Sequence, residues 1–189
     1  MAVFGFDSPS LRLVGLRLLR AAGYEACGYA SAAEYLLARV GAKPGCIVLD
    51  VRMPGLSGID LQARLAEQDN ALPIIFLTGH GDIPMSVKAM KAGSVDFLTK
   101  PVQREELFSA IRVALARDAE ARSTQDKARR LHSCYESLTT RERDVLALVV
   151  AGNLNKHIAK ELKISERTVK AHRAQVMMKL QARSLAEAC

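Results

Sequence analysis

Short apolar runs alternate with longer amphipathic stretches over the first 116 residues of the chain. The apolar runs are five to seven residues long and most are bounded by Gly, Pro, Ser or Asp, which predicts β-strands. The stretches between them repeat apolar residues every three or four positions, which predicts helices. Five strands that alternate with five helices predict a doubly wound parallel sheet covered on both faces. The predicted strands are 2–6, 24–30, 46–51, 73–79 and 95–101.

A different pattern follows the fifth predicted helix, which begins near Arg104. Residues 116–130 contain no large apolar side chain and neither Gly nor Pro, which is typical of a solvated helical linker. From Leu138 onwards the chain predicts four short helices without strands, each opened by a capping residue. These capping residues are Thr139 or Thr140, Asn155, Ser165 and Ser184, and Thr139 can form a capping box with Glu142.

The pattern therefore predicts an α/β domain over 1–118, a helical linker over 119–136 and a small all-α domain over 137–189. The charge divides in a similar way, because residues 1–120 hold 13 basic and 13 acidic side chains whereas 121–189 hold 14 and 7. The whole formal net charge of +7 thus lies in the last third of the chain. A basic module of this kind suits a polyanionic partner such as nucleic acid.

Composition excludes several other classes of protein. Hydrophobic content of 49% and charged content of 25% are ordinary for a globular protein and exclude wholesale disorder. No apolar run approaches the roughly 18 residues that span a membrane, and the N-terminus shows no secretory signal. We therefore expect a cytoplasmic protein without a membrane partner, whose cysteines are free thiols because they lack C-x-x-C spacing. The cysteines are Cys27, Cys46, Cys134 and Cys189.

Four polar side chains end the predicted strands. Ligands of a doubly wound sheet lie at the carboxyl ends of its strands, and here strands 1, 3, 4 and 5 end at Asp7, Asp50, Thr78 and Lys100. Two carboxylates, a hydroxyl and an ammonium suit phosphoryl transfer to an aspartate. We expect Asp50 to be the nucleophile and Lys100 and Thr78 to contact the phosphoryl oxygens. Asp7, Asp50 and the backbone carbonyl of Arg52 are then the expected Mg²⁺ ligands.

The segments 47–61 and 76–101 resemble the receiver domain of two-component response regulators, specifically of the FixJ-like group. The resemblance implies a flavodoxin-like α/β fold and a regulator rather than an enzyme. It also implies that Asp50 accepts phosphate from a sensor histidine kinase, and that Thr78 and Phe97 form the switch that senses it. From the strand pattern alone, Phe97 is more simply a core aromatic residue.

The end of the first strand departs from this family. Receiver domains usually carry two or three consecutive acidic residues there, whereas this chain has Phe6 before Asp7. We expect the missing carboxylate to weaken Mg²⁺ binding and phosphorylation. One alternative is therefore a constitutive DNA-binding regulator whose degenerate receiver is not phosphorylated efficiently. Another is a flavodoxin-like enzyme acting on a phosphorylated small molecule, although the sequence offers no further general acid or base for it.

The segment 155–180 has the pattern of a helix-turn-helix. Val169 and Val176 lie on an apolar stripe of its second helix, and basic and small side chains occupy the other face, as insertion into the major groove of DNA requires. Lys156 and Lys179 are expected to contact phosphates. The residues expected on the exposed face of the second helix are Lys170, Ala171, Arg173 and Ala174.

Residues 138–180 also resemble the LuxR-type DNA-binding domain. The resemblance implies that Lys170, Ala171, Arg173 and Ala174 face the bases, and that Thr168 lies near the DNA backbone. The family's last helix often contributes to dimerisation, but here it is short, so the receiver is the more favourable surface for a homodimer. The sequence thus predicts a phosphorylation-responsive transcription regulator that binds double-stranded DNA, with RNA polymerase as a further candidate partner.

Overall fold

The structure is a computed structural model, and its contacts divide the chain into two compact units, Met1–Arg122 and Ser123–Cys189. No helix in the described part of the chain is long and apolar enough to cross a membrane. For residues 4, 83 and 84 only the backbone is described. The described residues are 1–5, 8–38, 43–53, 55–67, 72–79 and 83–180.

The first unit contains a five-stranded parallel sheet with helices on both faces, which confirms the predicted fold class. Its strand order is β2-β1-β3-β4-β5, so the order reverses between β1 and β3. The strands are β1 (Ala2–Gly5), β2 (Ala26–Tyr29), β3 (Cys46–Asp50), β4 (Ile74–Thr78) and β5 (Asp96–Thr99). The helices are α1 (Pro9–Ala21), α2 (Ala32–Leu37), α3 (Gly58–Ala66), α4 (Ile83–Lys91) and α5 (Arg104–Glu136).

Both faces of the sheet are packed, and the central strands β3 and β4 are buried along their whole length. Alternate residues point to opposite faces. Val48 and Ile75 pack in one apolar cluster with Ile111 of α5, whereas Ile47 and Phe76 pack in the other cluster. This two-sided burial explains why these strands are continuous apolar runs in the sequence rather than alternating ones.

Helix α5 stays attached to the first unit as far as Arg122. The carboxylate of Asp118 is buried, with 5% of the residue exposed, and accepts the backbone N–H of Gly45 at 2.9 Å. It also accepts the Nε–H of Arg122 at 2.9 Å, and Arg122 donates to the carbonyl of Lys43 at 3.0 Å. The limit of 118 for the first domain stays a prediction, and these contacts favour a unit that extends one helical turn further.

Replacing Asp118 by alanine is expected to destabilise the first unit by about 1–3 kcal/mol, because the buried N–H of Gly45 and the guanidinium of Arg122 lose their acceptor. Thermal unfolding of the full chain, with hydrogen exchange to assign transitions to the two units, measures the loss. Asp126→Ala is the matched control, since Asp126 is exposed on the same helix. Equal effects of the two substitutions would contradict the prediction.

Within the described residues, which end at 180, the second unit contains the end of α5 and three short helices without strands. These helices are α6 (Thr140–Val150), α7 (Asn155–Leu162) and α8 (Glu166–Lys179). Val145 of α6, Ile158 of α7 and Val169 of α8 are almost fully buried in one apolar cluster. This arrangement confirms the predicted all-α second domain. The predicted last helix, from Ser184, lies outside the described residues.

Capping residues set the beginnings of these helices. Thr139 opens α6 with the expected capping box, and the Ser165 hydroxyl opens α8. The expectation for α7 was wrong, because Leu154 occupies its N-cap position and Asn155 is already helical. The side chain of Asn155 instead accepts a hydrogen bond from Arg173 of α8.

Candidate functional site

Three of the predicted site residues lie together at the carboxyl edge of the sheet. Asp50 and Thr78 are the last residues of the neighbouring strands β3 and β4, and Lys100 directly follows β5. The backbone N–H of Lys100 donates to the carbonyl of Thr78 at 2.7 Å, which ties the ends of β4 and β5 together. Thr78 is buried, with 3% of the residue exposed. The parallel register thus produces the juxtaposition expected from the strand ends.

Asp50 and Lys100 form an ion pair at this edge. The Lys100 Nζ lies 2.5 Å from the Asp50 Oδ2, and the two side chains are 25% and 10% exposed. The other carboxylate oxygen, Oδ1, accepts the backbone N–H of Arg52 at 3.2 Å. A carboxylate is therefore held beside a cation, and a cation in such a place can neutralise the charge of a phosphoryl group.

The turn after β3 depends on Gly58, which the sequence analysis did not single out. Its N–H donates to the carbonyl of Val51 at 3.0 Å, and a Cβ at this position would lie 2.5 Å from the carbonyl oxygen of Asp50. Only glycine allows α3 to begin this close to the strand end. The signal in the sequence is a glycine directly after Ser57, which caps α3 in a capping box with Asp60. The hydroxyl of Ser57 lowers the pKa of Asp60.

Phe97 lies in β5 and is half-buried. Its ring centroid is 6.0 Å from that of the fully buried Phe76, with 46° between the ring planes. This contact makes Phe97 part of the apolar packing on one face of the sheet. Its role as a switch stays a prediction.

The predicted Mg²⁺ ligands are described only in part, because Asp7 and its neighbour Phe6 lie outside the described residues. Within the described ranges, no group of three or more His, Cys, Asp or Glu side chains could hold a metal ion. Each oxygen of the Asp50 carboxylate accepts one protein donor and keeps capacity for another partner. A carboxylate and the Arg52 carbonyl are hard oxygen donors, so the donor chemistry fits Mg²⁺.

The connection between α7 and α8 is a tight turn. Lys163 adopts the left-handed conformation with a φ of 55°, and the N–H of Ile164 donates back to the carbonyl of Ala159 at 3.0 Å. The hydroxyl of Ser165 then accepts the N–H of Thr168 at 3.1 Å and starts α8. Two helices joined in this way form a helix-turn-helix.

Four of the seven predicted DNA-binding residues are exposed, three of them on α8 and one on α7. Val169 and Val176 are buried, with 0% and 3% exposed, which orients the helix on the apolar cluster of the second unit. Thr168 is half-buried at the start of the helix. The predicted DNA-binding residues that are exposed are Lys156, Lys170, Ala171 and Ala174.

Two further predicted DNA-binding residues are bonded within the second unit. The Nη1 of Arg173 donates to the Oδ1 of Asn155 at 2.8 Å. The Nζ of Lys179 donates to the Oε2 of Glu142 at 2.6 Å and to the carbonyl of Ser137 at 3.2 Å. Both residues are half-buried. Their contacts with DNA stay predictions, and the structure places both side chains in the packing between helices.

Glu142 is buried at the start of α6, with 5% of the residue exposed. Its carboxylate accepts the backbone N–H of Thr139 at 2.8 Å in addition to the ammonium of Lys179. The hydrogen bond from Lys179, followed by that from the Thr139 backbone, lowers the pKa of Glu142. The ionised carboxylate is therefore the form that the fold stabilises.

Acid is expected to destabilise the second unit through Glu142. Because its pKa in the folded protein is below the ordinary value of 4.5, its contribution is complete above that pH and is lost as the pH falls through the lowered pKa. Hydrogen exchange of residues 140–150, measured against pH, should show this loss. Glu142→Gln should remove much of the pH dependence, whereas Glu161→Gln, at an exposed position of α7, should leave it unchanged.

The fold and the site define a class of protein: a domain with an aspartate-lysine pair at its sheet edge, joined to a helix-turn-helix domain. Residues 7–112 match the response regulator receiver domain, and residues 136–189 match the bacterial regulatory proteins of the luxR family. The chain belongs to the two-component response regulators of the FixJ-like group, which are transcription regulators.

Individual relatives agree with this assignment. The chain is 47% identical to nodulation protein W of Bradyrhizobium diazoefficiens over 96% of this chain and 80% of that protein. It is 44% identical to the transcriptional regulatory protein FixJ of the same organism, over 90% of this chain and 83% of FixJ. The solved structure of the response regulator StyR matches with a TM-score of 0.89 and 46% identity, over 99% of this chain and 95% of that one.

Proposed function

We propose that Asp50 accepts a phosphoryl group from a sensor histidine kinase and that this event controls binding of the second unit to DNA. The observation that carries the proposal is the Asp50–Lys100 ion pair beside Thr78 at the carboxyl edge of the sheet. A basic side chain fixed beside a carboxylate nucleophile suits transfer of a charged phosphoryl group. The exposed basic face of α8 supports the second half of the proposal.

In the transfer step, a carboxylate oxygen of Asp50 attacks phosphorus of the phosphohistidine. The P–N bond breaks, its electron pair stays on the imidazole nitrogen, and an aspartyl phosphate forms. Lys100 then pairs with a phosphoryl oxygen and the Thr78 hydroxyl donates to another. Asp50, Asp7 and the Arg52 carbonyl would hold Mg²⁺, which supplies charge neutralisation of the phosphoryl oxygens.

The phosphate adds about −1.5 to −2 charges at this edge, and Thr78 and Lys100 move to meet it. Phe97 repacks in response, because it lies in the strand that ends beside Lys100. The surface formed by α4 and β5 then changes and favours a homodimer. Two copies of the second unit bind one operator, beside which the dimer can contact RNA polymerase.

On DNA, α8 enters the major groove with its exposed face towards the bases. Lys170, Ala171 and Ala174 read base edges, together with Arg173 where its bond to Asn155 opens. Lys156 and Thr168 are the proposed backbone contacts. The sequence predicted Lys179 as a third, but its bonds to Ser137 and Glu142 within its own unit favour another role for that residue.

One experiment tests both halves of the proposal. The full chain is treated with a small acyl phosphate and Mg²⁺, and binding to a duplex selected from a random-sequence pool is titrated against salt. Phosphorylation should increase the dimer fraction in size-exclusion chromatography and tighten binding. The slope of log affinity on log salt should be about −0.9 for each phosphate contacted. Unchanged size and affinity after phosphorylation would refute the switch and leave a constitutive DNA-binding regulator.

Phe6 provides a test of the constitutive alternative. Phe6→Asp restores the acidic residue that receiver domains usually carry before the position of Asp7, and it should lower the Mg²⁺ concentration needed for half-maximal phosphorylation. The rate of phosphate uptake, measured against Mg²⁺ concentration in the natural and substituted proteins, shows the effect. Equal rates and equal Mg²⁺ dependence would show that Phe6 does not weaken the site.

A further inference from the structure

Two basic side chains, one from α6 and one from α8, donate hydrogen bonds to backbone carbonyls at the end of α5. Arg143 of α6 donates to the carbonyl of Glu136 at 3.0 Å, and Lys179 of α8 donates to the carbonyl of Ser137 at 3.2 Å. The guanidinium of Arg143 also lies 5.1 Å from the ring centroid of Tyr135. The last carbonyls of a helix carry partial negative charge and favour basic partners. The end of α5 is thus connected directly to α6 and α8.

Lys179 makes a second and shorter bond, to the buried carboxylate of Glu142 at 2.6 Å. The same oxygen of Glu142 accepts the backbone N–H of Thr139 and so caps α6. Lys179 therefore connects three places: the end of α5, the first turn of α6 and the last turn of α8. Its side chain is 28% exposed, whereas Lys170 lies on the exposed face of the same helix.

A phosphate contact would draw the ammonium of Lys179 away from Glu142. The carboxylate of Glu142 would then be left buried beside its cap without a counter-ion, and an unpaired buried charge is strongly destabilising. Lys170 carries no such cost, because its side chain is exposed. The two lysines of α8 therefore differ in the cost of contacting a phosphate. Lys179 would have to leave a buried carboxylate, whereas Lys170 would not.

We infer that Lys179 is a positioning residue, which fixes the orientation of α8 on α6 and on the end of α5 through Glu142. Arg173 holds the preceding part of α8 to α7 through Asn155, so two polar bonds flank the buried side chain of Val176. The exposed face of α8 is thereby presented to DNA at one angle. This inference rests on the proposed DNA-binding function and assigns the residue that controls the geometry of the binding face.

The test compares Lys179→Met, Glu142→Gln and the double variant in the full chain, with Lys170→Met as the matched control. Glutamine can still accept the N–H of Thr139, so Glu142→Gln removes the charge and keeps the cap. Binding to a mixed-sequence duplex is titrated against salt at a temperature at which circular dichroism shows every variant to be folded. Unfolding of the second unit is measured in parallel by hydrogen exchange.

Lys179→Met should weaken binding roughly 2- to 30-fold and leave the salt slope unchanged. Glu142→Gln should have a similar effect, and the double variant should be no worse than either one, because the two residues act as a unit. Lys179→Arg should restore affinity. Lys170→Met should instead weaken binding to the selected operator more than binding to the mixed-sequence duplex, because Lys170 is the proposed base contact. A salt slope smaller in magnitude by about 0.9 would make Lys170 a phosphate contact.

Three results would overturn the inference. If Lys179→Met reduced the magnitude of the salt slope, Lys179 would be a phosphate contact. Additive effects of Lys179→Met and Glu142→Gln on unfolding would show that the two residues do not act together. If the folded Lys179→Met variant bound DNA with unchanged affinity, Lys179 would contribute to the stability of the second unit only and not to DNA binding. In each case the natural protein still binds DNA, so the proposed function survives, whereas absence of any duplex binding by the natural protein refutes both.

Discussion

Asp50→Asn is expected to abolish phosphate uptake by the full chain. Asparagine keeps the size of the side chain but replaces the carboxylate with an amide, which cannot form an aspartyl phosphate. The substitution also removes the ion pair with Lys100, whose Nζ lies 2.5 Å from the Asp50 carboxylate. Incubation with a small acyl phosphate and Mg²⁺, followed by mass spectrometry and hydroxylamine treatment, measures the acyl phosphate formed.

Two controls make this result specific. Asp126→Asn changes an exposed aspartate elsewhere on the chain and should leave phosphate uptake unchanged. Lys100→Met keeps the nucleophile and removes the cation, so it should slow uptake and weaken the response of DNA binding to phosphorylation. If the Asp50→Asn variant took up phosphate fully, the acceptor would be a residue other than Asp50, which would contradict the proposed site.

Lys170→Ala is expected to reduce specific DNA binding by about 1–3 kcal/mol if its ammonium contacts a base edge. The side chain lies on the exposed face of α8, next to Ala171 and one turn before Ala174, whose small side chains allow a close approach to the groove. Loss of a base contact should weaken the selected operator more than a mixed-sequence duplex. Binding titrations with both duplexes at one salt concentration measure the difference.

The comparison needs a lysine that lies outside the helix-turn-helix. Lys127 is exposed on α5, and Lys127→Ala should change both affinities little. If Lys170→Ala weakens binding to both duplexes equally and reduces the magnitude of the salt slope, Lys170 contacts a phosphate instead. If it changes neither affinity, the proposed orientation of α8 is wrong.

The juxtaposition of Asp50, Thr78 and Lys100 could be predicted because it depends on local patterns, whereas their role in phosphorylation stays a prediction. Asp50 and Thr78 follow uninterrupted apolar runs, and Lys100 comes shortly after Phe97 in the last strand. In a parallel sheet all strands end at the same edge, so residues at strand ends come together without knowledge of any side-chain contact. The order of the strands, β2-β1-β3-β4-β5, comes from the structure and was not predicted.

Because residues 116–130 were assigned to a solvated helical linker, the sequence did not lead to a prediction of the buried role of Asp118. It continues the apolar stripe of α5 through Ile111, and Arg122 follows four residues later, which is the spacing of a helical ion pair. A charged residue on a buried stripe is therefore visible in the sequence. Its partner at Gly45, however, is 73 residues away along the chain, and only packing of α5 against the sheet brings the two together.

Charge and periodicity by themselves determined the class of the protein: an α/β domain with a polar strand edge, and a basic helix-turn-helix domain. Residues 138–189 hold 10 basic and 5 acidic side chains and so carry +5 of the net charge of +7, and residues 121–137 carry the rest. Tertiary structure decided which individual basic residues are exposed and which are paired within the fold. Lys170 and Lys179 are the same type of residue on the same helix. Lys170 is exposed, however, whereas Lys179 pairs with Glu142, which lies 37 residues earlier in the chain. Periodicity shows which face of a helix is buried, whereas the partner of a half-buried charge depends on how separate helices pack.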